Sequence, residues 1–260
     1  MKLGLVTYNI AKDWALPELI ERCEAAGFEG VELRTGHAHG VEAGLSATER
    51  ETVRERFEKS RVKLAGLGTA FEFHSTDPGE VRRNIEGTKE YAQLAADLGC
   101  PGVKVRPNGV QTDRGVPIEQ TLRQIGEALR ECANYAAGHN VEIRLEVHGK
   151  VTCEVPNIRK ILDYADHENV FVCWNSNPSD VIKGSVRKNF ALLADRIRLV
   201  HMRDLFTEDY PWIELFWLLQ KQGYDGFCLA EIPASSDPAR VLSYYRALWR
   251  AYLKLTAARR

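Results

Sequence analysis

The sequence predicts an α/β fold, a (β/α)8 TIM barrel, from three observations. Eight short apolar runs alternate with eight segments of helical period. No linker, low-complexity tract or composition break divides the chain, so residues 1–260 read as a single barrel domain. The length of 260 residues matches the roughly 250 typical of such barrels. A strand followed each time by a helix implies parallel pairing through right-handed crossovers, and eight strands close a barrel. An open doubly wound sheet would carry a glycine fingerprint after an early strand, and none is present.

The predicted strands are Lys2–Thr7, Gly30–Arg34, Lys63–Thr69, Gly102–Arg106, Glu142–Val147, Val170–Trp174, Ile197–Met202 and Gly226–Glu231. The helices between them are Pro17–Ala26, Ala47–Ser60, Pro78–Leu98, Pro117–Ala137, Asn157–Ala165, Val186–Leu193, Trp212–Gln222 and Asp237–Leu255. Start and stop signals agree with these bounds. Pro17 and Pro117 suit a first helical turn. Ser46-Ala47-Thr48-Glu49 reads as a capping box, and Gly27, Gly99, Gly138 and Gly223 stand where helices end.

Hydrophobic residues make up 44% and charged residues 27%, enough for a full core. Lys plus Arg (35) nearly cancels Asp plus Glu (36), which argues against nucleic acid or an anionic membrane surface as partner. No apolar stretch approaches the ~20 residues of a membrane span, and the start is too short for the apolar region of a signal peptide. Six scattered cysteines without a CxxC pair fit buried free thiols and a cytoplasmic protein.

Barrel active sites lie where the strands end, so strand alternation selects the candidates. In the fifth strand Ile143, Leu145 and Val147 share one face, and Arg144, Glu146 and His148 share the other. Likewise Glu32 and Arg34 oppose Val31 and Leu33, and Lys104 and Arg106 oppose Val103 and Val105. The helix-facing layer must be apolar, so the charged faces are expected to point inward. Buried charge is unfavourable unless paired or liganded, which argues for a working site there.

Four motifs carry a resemblance: Ile143-Arg144-Leu145-Glu146-Val147-His148-Gly149, Cys173-Trp174-Asn175, Leu199-Val200-His201-Met202-Arg203-Asp204 and Leu229-Ala230-Glu231-Ile232. In order and each closing a strand, they resemble the xylose-isomerase-like superfamily of sugar isomerases and epimerases. The opening of the second strand, Gly27-Phe28-Glu29-Gly30-Val31-Glu32-Leu33, is similar too. The resemblance implies a divalent metal (Mn²⁺, Mg²⁺, Co²⁺ or Zn²⁺) held by Glu146, Asn175, His201 and Glu231. It also implies that Glu146 and Glu231 double as acid/base groups. Asn175 departs from the pattern, because aspartate is usual there. An amide keeps a carbonyl oxygen for ligation but gives up one negative charge.

The chemistry supports the set independently. Moving a proton between or at carbons of a hydroxy-carbonyl compound needs a base near the carbon-bound proton and a group that stabilises the developing oxyanion. Two carboxylates beside a Lewis-acidic metal supply both.

The remaining candidates are substrate contacts. Arg34, Arg106 and Asn108 suit an anionic or hydroxyl-rich ligand. His148, two residues beyond Glu146, shares its face. His37 and His39 lie on the loop after the second strand, and His74 follows the third. Tyr8 and Trp174 are expected to wall a sugar pocket. Lys104 and Arg144, set deeper, are read as partners of Glu32. The aromatic run Tyr210–Trp217 reads as helix-on-barrel packing, with a surplus available for a homo-oligomer contact.

The expected activity is therefore a metal-assisted isomerase or epimerase acting on a small sugar, sugar phosphate or sugar acid. The alternatives are an inosose-dehydratase-like dehydratase of the same family and a non-catalytic sugar-binding barrel. A count of three acidic groups (Glu32, Glu146, Glu231) against four basic ones (Arg34, Lys104, Arg106, Arg144) predicts either an anionic substrate, with Arg106 as its first contact, or a site that binds metal only weakly until such a ligand arrives.

Overall fold

In the computed structural model, which describes residues 1–258, eight strands form a closed parallel barrel in chain order. They are β1 (Lys2–Val6), β2 (Gly30–Arg34), β3 (Lys63–Glu72), β4 (Gly102–Arg106), β5 (Glu142–Glu146), β6 (Val170–Asn175), β7 (Ile197–Met202) and β8 (Phe227–Ala230). Closure is made where Lys2, Leu3, Gly4 and Leu5 of β1 pair with Phe227, Cys228, Leu229 and Ala230 of β8.

The outer helices are α1 (Leu16–Ala26), α2 (Ala47–Glu58), α3 (Pro78–Leu98), α4 (Ile118–Ala137), α5 (Val155–Ala165), α6 (Arg187–Leu193), α7 (Trp212–Lys221) and α8 (Pro238–Ala257). Every predicted strand and helix is present, four of them with identical bounds and none differing by more than three residues. Local chemistry sets the ends. Ser46 and Glu49 form the reciprocal capping box of α2, and the Asp77 carboxylate accepts the Gly79 N–H at the start of α3. Gly27 and Gly99 end α1 and α3 in the left-handed region. Gly138 does not. It stays right-handed after α4, and Asn140 (φ 57°) takes the left-handed turn instead. Pro117 stands one position ahead of α4 rather than inside its first turn.

Two apolar layers hold the fold. The larger lies between barrel and helices and contains Val31, Leu33, Val103, Val105, Ile143 and Leu145, all withdrawn from water. The smaller plugs the barrel interior with Val6, Ala65, Cys173, Leu199 and Leu229. Above that plug the interior is polar. Glu32, Lys104, Glu146 and His201 are buried there on the inward face of the strands, as alternation predicts. The aromatic run packs mainly helix on helix, with Phe216 of α7 against Trp249 and Tyr252 of α8. No helix among the described residues is long and apolar enough to cross a membrane.

Candidate active site

Three strand ends converge on one point. The Nδ1 of His201, closing β7, lies 3.4 Å from Glu146 Oε1 at the end of β5 and 3.6 Å from Glu231 Oε2 just beyond β8. One ligand atom from each of these residues falls within 4.8 Å of the others. Barrel order allows the convergence, because β5, β6, β7 and β8 are consecutive neighbours whose ends lie side by side. His201 is wholly buried, yet its Nδ1 makes no hydrogen bond among the described residues. A buried ring nitrogen left without a partner between two carboxylates is where a divalent cation fits, and carboxylate–imidazole donors suit Mn²⁺, Co²⁺ or Zn²⁺.

Glu146 is clamped on both oxygens. The Lys104 ammonium, 1% exposed, stands 2.7 Å from Oε2, and the Asn175 amide nitrogen lies 3.2 Å from Oε1. Burial opposes ionisation of Glu146, but the Lys104 charge, with His201 and His148, holds it well below the ordinary carboxylate range. Burial likewise disfavours the Lys104 charge, and Glu146 and Glu32 keep it raised. His201 is held well above the ordinary histidine value. Burial works against its charged form, and Cys173, Glu32 and Glu231 outweigh it.

Asn175 faces the site through its N–H₂ rather than its oxygen. Its Oδ1 accepts the Ser176 N–H at 2.9 Å. Offering the oxygen to a metal requires turning the amide and giving up both bonds. Lys104 was expected to pair with Glu32, but it reaches Glu146 instead. Arg144 also departs from expectation. It lies below the site, bound to Glu142 (2.6 Å) and to the Ala65 carbonyl.

A second ring of polar groups surrounds this centre. Arg34 Nη1 is 3.9 Å from Glu231 Oε1, and its guanidinium lies 5.6 Å from the Tyr8 ring centroid at the rim. Arg106 and Asn108 converge on Glu72, which ends the unusually long β3, at 2.5 and 2.9 Å. His74 Nδ1 is 3.8 Å from the same carboxylate, and the Nδ1 atoms of His74 and His148 are buried without partners. Burial lowers the pKa of His148. Arg203, just beyond β7, packs its guanidinium over the Tyr210 ring (5.5 Å) and binds Asp209 through Nη1, with Nε and Nη2 buried and unpartnered.

Three candidates are used elsewhere. His39 commits both ring nitrogens to its own loop, to the Arg34 carbonyl (2.7 Å) and the Val41 N–H (3.0 Å). His37 bonds Thr7 Oγ1 at 3.1 Å, and burial lowers its pKa. Trp174 lies on the helix-facing side of β6, where it packs on Phe190 and donates its indole N–H to Tyr210. It walls no pocket at the barrel mouth, because alternation places it opposite Cys173 and Asn175.

Comparison with known proteins bears on the family and the fold. The sequence model of the xylose isomerase-like TIM barrel family matches residues 20–251. The chain belongs to that family. Among curated proteins no sequence matches significantly. Solved structures of the same fold include an L-ribulose 3-epimerase (16% identity, 99% of this chain and 96% of that one, TM-score 0.82). They also include the IolI protein with a bound zinc atom (17%, 100% and 99%, TM-score 0.76). A third is the probable 3-DHS dehydratase AsbF from Bacillus anthracis (15%, 96% and 99%, TM-score 0.74).

Within this xylose isomerase-like barrel, sequence reasoning did not single out Glu72, and it gave Lys104 no place beside Glu146. Glu72 was not accessible to it, because β3 extends three residues past its predicted end.

Proposed function

We propose that this barrel is a metal-assisted isomerase or epimerase of small hydroxy-carbonyl sugars, with Glu146 and Glu231 as its acid/base pair. The observation that carries the reading is the buried, unpartnered Nδ1 of His201 facing both carboxylates. Glu146, His201 and Glu231 would hold the cation, with Asn175 as a fourth ligand only if its amide turns. The cation would supply Lewis-acid polarisation of a substrate oxygen.

The protein's own groups divide the remaining work. Glu231, 16% exposed, would accept a carbon-bound proton and return it. Arg34 lies beside it and offers charge to a developing oxyanion. Glu146 keeps its charge because Lys104 caps one oxygen, so its basicity is held low. His148, His74 and Arg106 would offer unpartnered nitrogens to sugar hydroxyls.

The charge count changes with these contacts. Arg106 is neutralised by Glu72 and Arg144 by Glu142, which leaves Glu32, Glu146 and Glu231 against Arg34 and Lys104. With His201 held in its charged form the inner groups balance, and a cation that takes Nδ1 would displace that proton, so no surplus of basic groups calls for an anionic substrate. We infer a neutral polyhydroxylated sugar.

A dehydratase is the second reading, favoured by the inequality of the two glutamates. A single free base, Glu231, suffices to remove a proton next to a carbonyl and expel a neighbouring hydroxyl. Incubation with neutral ketoses and Mn²⁺, followed by product analysis, separates the two. Epimers or aldose–ketose pairs support the first reading, an unsaturated product the second, and no turnover of any sugar overturns both.

A further inference from the structure

We propose that Glu32 is a positioning residue that fixes the His201 ring so that Nδ1, and not Nε2, faces the two glutamates. The inference rests on the metal-site reading only for its consequence, because the contact itself is part of the fold. Glu32 is wholly buried in the middle of β2, where a carboxylate is costly without a partner. Its Oε1 lies 3.3 Å from His201 Nε2, and both Glu32 oxygens and that nitrogen are buried with no hydrogen bond of normal geometry to any described residue, so each is the nearest partner the other has. The Lys104 ammonium is engaged with Glu146.

The neighbouring strand is shaped around that carboxylate. A Cβ at Gly68 would lie 2.5 Å from Glu32 Oε1, and one at Gly66 would lie 3.4 Å from Oε2. Gly66 pairs directly with Glu32 across a register shift between Val31 and Glu32. Alternate glycines in Gly66-Leu67-Gly68 thus keep the inward face of β3 open for a side chain that reaches sideways toward β7. Glycine inside a strand interior weakens it, so close approach of another group explains the pair.

The geometric consequence follows from the imidazole itself. With Nε2–H donated to Glu32, the Nδ1 lone pair points at Glu146 and Glu231. A ring turned over would set a carbon against the Glu32 carboxylate. Carboxylates that hold the distal nitrogen of a metal-binding histidine typically change metal affinity 10- to 100-fold.

The test compares Glu32→Gln with Glu32→Leu in the full chain. Both remove the charge, but only glutamine keeps an acceptor for Nε2–H. One readout needs no metal, a downfield, slowly exchanging ring N–H resonance assigned to His201 Nε2. It is expected in the unsubstituted protein and in Glu32→Gln, and lost in Glu32→Leu. The other is Mn²⁺ binding by calorimetry, where Glu32→Leu is expected about tenfold or more weaker than Glu32→Gln. Should Glu32→Leu fail to fold, Gly68→Ala, whose methyl displaces the carboxylate, replaces it with the same two expectations. Absence of the resonance from the unsubstituted protein, or equal losses in the two variants, overturns the assignment. If the resonances follow the expected pattern and no variant binds Mn²⁺, the metal reading fails while the positioning role stands.

Discussion

The Lys104 ammonium stands 2.7 Å from Glu146 Oε2, with both side chains almost wholly removed from water. That pair joins the apolar plug of the barrel to its polar mouth. It fixes one glutamate as a charged, immobile group and leaves Glu231 as the accessible one.

Breaking the pair leaves a buried carboxylate alone. Lys104→Met is expected to cost about 3–5 kcal/mol of stability without metal, as is usual when one partner of a buried ion pair is removed. Mn²⁺ should then stabilise the variant more than the unsubstituted protein, because a cation replaces the lost charge. Urea denaturation with and without Mn²⁺ measures both, and an equal metal-dependent gain in the two proteins contradicts the expectation.

Asn175 gives the second prediction. Asn175→Asp restores a negative charge at the end of β6 and removes the N–H₂ that now faces Glu146. Mn²⁺ binding should tighten about tenfold or more, about 1.4 kcal/mol, in a titration calorimeter. Unchanged affinity would mean that this position does not reach the cation.

The degree to which this site could be read from the sequence depends on the residue. Glu146, His201 and Glu231 were legible because each closes a strand whose alternation and motif agree. Their inward direction followed from the apolar layer opposite them. Glu32 was legible as inward but not as the partner of His201, because that contact crosses from β2 to β7 and depends on the space left by Gly66 and Gly68. The Glu72–Arg106 pair was hidden by the length of β3. Trp174 was misplaced because its nearness to Asn175 in sequence outweighed the strand period, which puts it on the other face.

Trp174 supplies a third prediction. Trp174→Phe removes an indole N–H that donates to Tyr210 at 3.0 Å in the helix-facing layer. It should lower stability by about 1 kcal/mol or somewhat more, with the volume loss added, and leave Mn²⁺ affinity unchanged. A clear loss of metal binding at unchanged stability would return this residue to the site.

Asp180 controls a pH dependence. Its Oδ2 accepts from the Asn177 N–H (2.9 Å) and the Tyr210 hydroxyl (3.0 Å), and Oδ1 is buried without a partner. Burial raises its pKa to about 7, although the Asn177 and Tyr210 hydrogen bonds and the Arg203 charge pull it down. An unfolded aspartate titrates near 3.9, so the folded state holds this proton more tightly. Stability is therefore greatest below about pH 4 as far as this group is concerned, and is lost as pH rises toward 7. The full effect is on the order of 4 kcal/mol. Asp180→Asn keeps the shape without the charge and should flatten that slope. Denaturation at pH 5.5 and pH 8 checks it, and parallel losses in both proteins would contradict it.

The central claim is that two glutamates around a cation move a carbon-bound proton. Hydrogen–deuterium exchange into neutral ketoses in heavy water with Mn²⁺ measures this most directly. Exchange next to the carbonyl of at least one sugar is expected from the unsubstituted protein. A loss of about 100-fold or more is expected in Glu231→Gln and Glu146→Gln with the fold intact. Undiminished exchange in both variants, or no exchange into any sugar by the unsubstituted protein, would contradict it.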